Sequence, residues 1–236
     1  IRNGELEVHY QPEVSLLDGS IIGAEALVRW RHPERGLIPA ASFVPVAEDT
    51  GMIVEIGDFV LYEACRQAAG WPKPDAIIRV NFAAAQLQRS ETVEIVQTAL
   101  DESGLAPSRL CVEITESAMM SDVVLAEEVL GQLRELGVAI AVDDFGTGFS
   151  SLAYLRRFPV SAVKLDRTFV DGLDDEANDD GFVRSIISLA DALGLDVVAE
   201  GVENKAQADA LVRLGCLRAQ GYFFGRPVPE GQLWVE

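Results

Sequence analysis

Histidine, cysteine and positive charge are all scarce in this chain, and each scarcity removes a class of function. The two histidines, His9 and His32, stand far apart. A histidine-based metal centre or a Ser–His–Asp triad therefore has little to be built from. The three cysteines, Cys65, Cys111 and Cys216, are scattered and form no C-x-x-C pair. Such a set argues against a disulfide framework or a zinc site and fits a reducing cytosol. Cys111 lies in an apolar run and reads as packing. Lys and Arg number 19 against 38 Asp and Glu, a formal net charge of −19. Duplex nucleic acid is excluded as a partner, because phosphate neutralisation needs clustered basic residues. No run reaches the roughly 18 apolar residues of a membrane span. Internal repeats, low-complexity linkers and signal-peptide patterns are missing as well.

What is present is a chain of 236 residues, 49% of them hydrophobic. That suffices for one large core, so residues 1–236 are read as a single domain. The chain opens at Ile1 rather than Met. It is expected to be a cytoplasmic domain excised from a longer multidomain protein, with any targeting signal or membrane anchor upstream. Most of the acidic residues, such as Glu127, Glu128 and the run from Asp171 to Asp180, read as solvated surface.

Apolar periodicity predicts two adjoining strands, Leu6–Leu16 and Ile21–Trp30, with Asp18-Gly19 as the turn. So tight a connection requires an antiparallel pair. A short helix over Ser42–Thr50 and a longer one over Ile53–Ala69 follow. Strands are then expected over 76–83, 109–115, 138–143, 162–166, 196–200 and 217–223. Helices are expected over 91–103 (with Ser90 as its cap), 122–136, near 151–156, over 181–193 and over 205–214. Order is weakest over 172–180. The alternation favours an α/β fold with a largely parallel sheet, and eight strands can close into a barrel.

Acidic and amide side chains recur where these strands end. Glu25, Asn81, Glu113, Asp143, Asp144 and Glu200 each sit at or just after a short apolar run. A single strand-end carboxylate is usually a helix cap or a solvated loop residue. Six such residues in register suggest one mouth of a barrel, lined with oxygen donors. Five converging carboxylates repel one another unless cations lie between them. An oxygen-only donor set favours Mg²⁺ or Mn²⁺ over Zn²⁺ or Cu²⁺, and the adjacent pair Asp143-Asp144 suits two neighbouring ions.

Lys164 ends another apolar strand, and Asp166 follows two residues later on the same face. A lysine among carboxylates stays charged and can orient a water or neutralise a phosphoryl oxygen. For Lys164 the functional reading is preferred over a plain ion pair; for Asp166 both stay open. Period two places Glu25, Leu27 and Arg29 on one strand face, with Trp30 opposite as core. Arg29 is available for a phosphate or for pairing with Glu25. The loop Phe145-Gly146-Thr147-Gly148-Phe149-Ser150-Ser151 after the Asp pair reads as one that folds around a site.

Glu25-Ala26-Leu27 within A-E-A-L-V-R-W resembles the signature of the EAL domain, the bacterial phosphodiesterase module for cyclic di-GMP. The resemblance runs nearly end to end. It includes Tyr10-Gln11-Pro12, Asn81 in R-V-N-F, Glu113-Ile114-Thr115-Glu116 and Asp143 to Ser151. Further on come Lys164-Leu165-Asp166, Glu200-Gly201-Val202-Glu203 and Gln220-Gly221-Tyr222. Phe149 stands where the loop often has Tyr. The resemblance implies a TIM-like (β/α)8 barrel whose first strand is antiparallel, and hydrolysis of cyclic di-GMP to linear pGpG with two Mg²⁺ or Mn²⁺ ions. It implies Glu25, Asn81, Glu113, Asp143 and Asp144 as ligands, with Asp143 bridging. Lys164 and Glu200 would position or deprotonate the water, with Glu200 open as ligand or base. Gln11, Leu27, Arg29, Asp166 and Gln220 would contact the substrate, Arg29 through phosphate. Glu116 would anchor the Gly-rich loop, and Glu203 and Gln220 would support the site. A homodimer and an upstream sensory or GGDEF-type domain are further expectations. A non-catalytic cyclic di-GMP receptor, a protein-interaction module and a phosphodiesterase for other cyclic dinucleotides are the competing readings.

Overall fold

The computed structural model describes residues 3–146, 155–173 and 180–234. Eight strands close into a barrel: β1 (Leu6–Ser15), β2 (Ile21–His32), β4 (Ile77–Asn81), β5 (Leu110–Thr115), β6 (Ala139–Phe145), β7 (Ala162–Leu165), β8 (Asp196–Ala199) and β9 (Arg218–Gln220). β1 runs antiparallel to both of its neighbours, β2 and β9. The other pairs around the ring, from β2–β4 to β8–β9, are parallel. The antiparallel first strand follows from its connection. The turn around Gly19 (φ 73°) is too short for a crossover, so β2 must fold straight back on β1.

The alternation of side chains sorts the barrel into an outside and an inside. Ile78, Val80, Val112, Ile114, Ile140, Val142, Val163 and Leu165 are almost fully buried in the main core cluster, which continues into the surrounding helices. Burying each such side chain contributes about 1.5–3 kcal/mol. The helix Ile53–Ala69 joins this core through Ile53, Ile56, Val60, Leu61, Ala64 and Ala68, a helical stripe. Residues of the opposite parity face the barrel axis. Cys111, Ala141 and Ala162 form a separate small cluster there, as the packing reading of Cys111 anticipated. One residue-pair further along β4 to β7 the inward set turns polar.

The helices Gly181–Leu193 and Lys205–Leu214 begin and end where the sequence placed them, each closed by a left-handed glycine, Gly194 and Gly215. Asp122 caps the helix Val123–Glu135 by accepting from the Leu125 amide at 3.1 Å.

Several expectations need correction. A ninth strand, β3 (Gly36–Pro39), pairs antiparallel with β2; four residues are too few for a periodic signal. The first short helix is Val44–Asp49, preceded by a 3-10 turn over Ala40–Ser42. Ser90 does not cap the next helix, which spans Thr92–Ser103 with Glu91 at the cap position. An extra short helix, Ala84–Leu87, precedes it, and the Thr92 hydroxyl bonds back to the Gln86 carbonyl. Trp30 is half-buried and donates its indole N–H to Glu5 at 2.9 Å, so it is an edge residue rather than core. The loop from Thr147, the helix expected near 151–156 through position 154, and the stretch 174–179 lie outside the described residues. Among the described residues no helix is long and apolar enough to cross a membrane.

Candidate active site

Parallel register brings the strand-end residues to one mouth. Asn81 pairs with Glu113 across β4–β5, and Thr115 with Asp143 across β5–β6. Lys164, fully buried on β7, is their hub. Its ammonium lies 2.6 Å from Glu200 Oε1, 2.7 Å from Glu113 Oε2, 3.3 Å from Glu25 Oε2 and 3.5 Å from Asp143 Oδ1. Carboxylates from three strands and from the residue after β8 thus converge on one nitrogen. Glu25 joins them from the middle of β2 rather than from a strand end, because β2 runs on past the barrel mouth to pair with β3.

Glu25 is held from both sides. Its Oε1 accepts from Asn81 Nδ2 at 2.6 Å and its Oε2 from Gln220 Nε2 at 2.6 Å. The same Gln220 nitrogen reaches Glu200 Oε1 at 2.9 Å. Gly221 lets Gln220 sit there: a Cβ on it would come within 2.1 Å of the Val202 carbonyl oxygen. At the end of β6 the β6–β7 register shifts between Val142 and Phe145. Asp144 takes φ 54°, the only positive φ at a described non-glycine residue, and its amide donates to Asp143 Oδ1 at 3.0 Å. The kink turns two successive carboxylates towards one space. Asp143, Asp144 and Glu200 each offer an oxygen within 4.8 Å of the others, a group able to hold a metal ion.

The carboxylates titrate differently because their surroundings differ. Burial pushes Glu25 up, but Lys164 and the hydrogen bonds from Gln220 and Asn81 outweigh it and leave Glu25 below the ordinary value. Burial dominates at Glu113, which Glu25 and Asp143 raise further, to well above the ordinary range despite Lys164. Burial pushes Glu200 up to about 7, with Asp143 and Glu25 adding to it against Lys164. Asp144, exposed at the mouth, is raised by partial desolvation and by Asp143 and Asp166. Lys164 is held charged, well above its ordinary value, because its carboxylates overcome the cost of burial. The raised values at three of these carboxyls come first from burial and then from the neighbouring anions.

A cavity of about 290 Å³ opens on this cluster, lined by Gln11, Glu25, Leu27, Asp143, Glu200, Glu203 and Gln220 among others. Gln11 also donates to the Gly225 carbonyl at 3.4 Å. Leu27 lines in addition a neighbouring apolar cavity of about 670 Å³, shared with Asn81, Phe82 and Pro45. Arg29, half-buried, donates to the Val28 carbonyl at 2.9 Å; among the described residues it forms no salt bridge, so the pairing with Glu25 is not made. Asp166 caps the short helix Arg167–Val170, accepting from the Thr168 amide at 3.0 Å. Glu203 pairs with Arg167 at 2.7 Å on the cavity rim. Glu116 opens the helix Glu116–Ser121, capped by Thr115.

Sequence reasoning missed three contributors. Arg167 and Tyr222 line the cavity, and Arg226 stacks over the Tyr222 ring at 4.2 Å. Tyr222 stood in a quoted motif, so its signal was there; Arg167 carried none. A buried Glu13–Arg79 ion pair lies inside the barrel beneath the site. Its signal was the inward parity of Arg79, two residues before Asn81.

The sequence model described as the EAL domain matches residues 1–227. The bifunctional diguanylate cyclase/cyclic di-GMP phosphodiesterase MucR of Pseudomonas aeruginosa is 47% identical over 232 residues, covering 97% of this chain and 34% of that protein. The cyclic di-GMP phosphodiesterase NbdA of the same organism is 44% identical over 238 residues, covering 99% and 30%. This chain thus spans about a third of the length of these curated relatives. Among solved structures, the PaMucR phosphodiesterase in complex with c-di-GMP superposes with a TM-score of 0.93 at 46% identity, covering 98% of this chain and 95% of that one.

Proposed function

The chain belongs to the EAL domain family, and from that premise we propose that it hydrolyses cyclic di-GMP to linear pGpG with the help of divalent cations. The observation that carries this reading is the convergence of Glu25, Glu113, Asp143 and Glu200 on Lys164. The relatives' described activity and the bound c-di-GMP of the similar structure support the choice of substrate.

The donor set fits hard cations. It is all oxygen, and the Oε1 atom of Glu113 is buried without a hydrogen-bond partner. With all five carboxylates ionised around one ammonium, four negative charges are in excess, which two divalent ions would balance. Glu25, Asn81, Glu113, Asp143 and Asp144 would hold Mg²⁺ or Mn²⁺. When bound, such ions supply Lewis-acid polarisation of the phosphodiester and a more acidic water.

The chain's own residues account for the rest. Lys164 places a fixed positive charge beside the reacting phosphoryl group. Glu200, with its value near 7, is suited to take a proton from the attacking water at neutral pH. Water adds to phosphorus in line with the leaving 3′ oxygen and gives a proton to Glu200; the P–O3′ bond breaks, and the 3′ oxygen takes up a proton from solvent to leave as a hydroxyl. Asn81 and Gln220 fix Glu25 in place. Arg29, free of a carboxylate partner among the described residues, is available to a substrate phosphate. Leu27, between the two cavities, offers an apolar surface to a base.

The test is incubation with cyclic di-GMP and Mg²⁺ or Mn²⁺, with product identification. Formation of pGpG supports the reading. Tight binding without product at saturating metal overturns it in favour of a receptor, and equal turnover of cyclic di-AMP overturns the assigned substrate. The relatives' greater length, and the diguanylate cyclase in MucR's description, support a role as one domain of a multidomain protein with a sensory or GGDEF-type domain. Sedimentation measures the homodimer implied by the resemblance.

A further inference from the structure

Beneath the carboxylates of the mouth lies a second buried charge network that the proposed reaction does not use. Arg79 on β4 is 2% exposed and Glu13 on β1 is 1% exposed. The Nε and Nη2 atoms of Arg79 both engage the Glu13 carboxylate, Nη2 at 3.2 Å. Its remaining arm, Nη1, donates to Cys111 Sγ at 3.2 Å and lies 3.7 Å from Glu113 Oε1. That Oε1 is the atom without a hydrogen-bond partner. The other oxygen of Glu113 accepts from Lys164 at 2.7 Å. Glu113 therefore lies between two cations: Lys164, hydrogen-bonded to one oxygen, and Arg79, an ion-pair neighbour 3.7 Å from the other.

Packing alone does not call for this arrangement. The small residues Cys111, Ala141 and Ala162 pack together inside the barrel at this depth, Cys111 being the register partner of Arg79. A buried ion pair is often no more stabilising than apolar residues of similar volume, because desolvation offsets the attraction. A guanidinium, however, offers a planar fork that a lysine cannot imitate. Glu13 takes one edge of that fork and fixes its plane, which leaves Nη1 aimed at Cys111 and Glu113.

We infer that Arg79 is a positioning residue for Glu113. Clamped by Glu13, it holds the Glu113 carboxylate at the barrel axis and offsets its charge, so that the carboxylate is preset to receive a divalent cation. The inference rests on reading Glu113 as a cation ligand.

The experiment compares Mn²⁺ binding by titration calorimetry with folding stability in EDTA, on the whole chain. Arg79→Met alone leaves Glu13 unpaired and lowers both. The double variant Glu13→Leu/Arg79→Met removes the pair as a unit and recovers stability, yet still binds Mn²⁺ about 10-fold more weakly or worse. The metal concentration for half-maximal turnover rises in parallel, while turnover at saturating Mn²⁺ changes less. A folded double variant that binds Mn²⁺ within twofold of the parent overturns the inference and makes the pair structural only. Should the double variant not fold, Arg79→Lys decides: it keeps the charge but not the fork, so binding falls several-fold, and unchanged binding overturns the inference. Absence of Mn²⁺ binding in the parent overturns the cation reading itself, and the inference with it.

Discussion

Lys164 Nζ lies 2.6 Å from Glu200 Oε1, joining β7 to the residue that follows β8. The contact is the shortest of four that this ammonium makes, and it defines a charge balance that a cation would share. Lys164→Met leaves Glu25, Glu113, Asp143 and Glu200 without their common counter-charge. In EDTA the loss is expected to be about 3–5 kcal/mol, the usual cost of breaking a buried pair. Saturating Mn²⁺ is expected to recover part of it, because the ion supplies positive charge to the same oxygens. Urea unfolding with and without Mn²⁺ measures both. An equal loss in the two conditions would separate Lys164 from the cation site.

Glu25→Gln keeps the shape of the side chain but presents an amide where Asn81 and Gln220 both donate. Turnover of cyclic di-GMP is expected to fall roughly 100-fold or more, at the upper end of what disturbing a metal site costs. Far-UV circular dichroism should match the parent. Activity within a few-fold of the parent would exclude Glu25 as a ligand.

The barrel was legible because its signals are periodic. Short apolar runs alternating with amphipathic helices located all eight barrel strands, and the turn at Gly19 settled the direction of the first. β3 escaped because four edge residues carry no period. Ser90 misled because the chain makes an extra short helix, Ala84–Leu87, and the next one starts a residue later than expected, at Thr92 with Glu91 in the cap position. At the site, the strand-end acids and Lys164 were legible one by one. Their common focus on the Lys164 ammonium was not, since it depends on the register of strands far apart in sequence. The Glu13–Arg79 pair was hidden for the same reason: β1 and β4 are not neighbours in the ring, so the two residues meet only across the barrel interior.

Burial and neighbouring anions raise Glu200 to about 7 and raise Glu113 and Asp144 as well. A carboxyl with a raised value binds its proton more tightly in the folded state than in the unfolded one. Its stabilising contribution is therefore present below the unfolded value, 4.5 for the two glutamates and 3.8 for Asp144, and is lost as pH rises through the folded value. Glu25, with a lowered value, has the opposite sign at more acidic pH. In EDTA the melting temperature is expected to rise as pH falls from 8 to 6. Glu200→Gln should flatten that slope. Added Mn²⁺ should reverse it, because the ion binds the ionised carboxylates and competes with protons. A flat profile of the parent in EDTA would contradict the raised value of Glu200.

Asp144 combines a left-handed backbone with a carboxylate raised by its neighbours, so two substitutions should move stability in opposite directions. Asn tolerates φ 54° and removes the charge. Asp144→Asn should therefore raise the melting temperature in EDTA at pH 8, by about 1–2 °C for a domain of this size. Asp144→Ala also removes the charge, but its Cβ meets the left-handed penalty of about 1–2 kcal/mol without a polar side chain to offset it. Its melting temperature should fall below that of the parent. Both variants should lose Mn²⁺ affinity and turnover, since neither keeps the carboxylate beside Asp143 and Glu200. Differential scanning fluorimetry and a product assay on the same preparations separate the two effects. Equal melting temperatures for the two variants would mean that the backbone at 144 relaxes once the charge is gone, and the kink after β6 would then be a consequence of the carboxylates rather than the device that aims them.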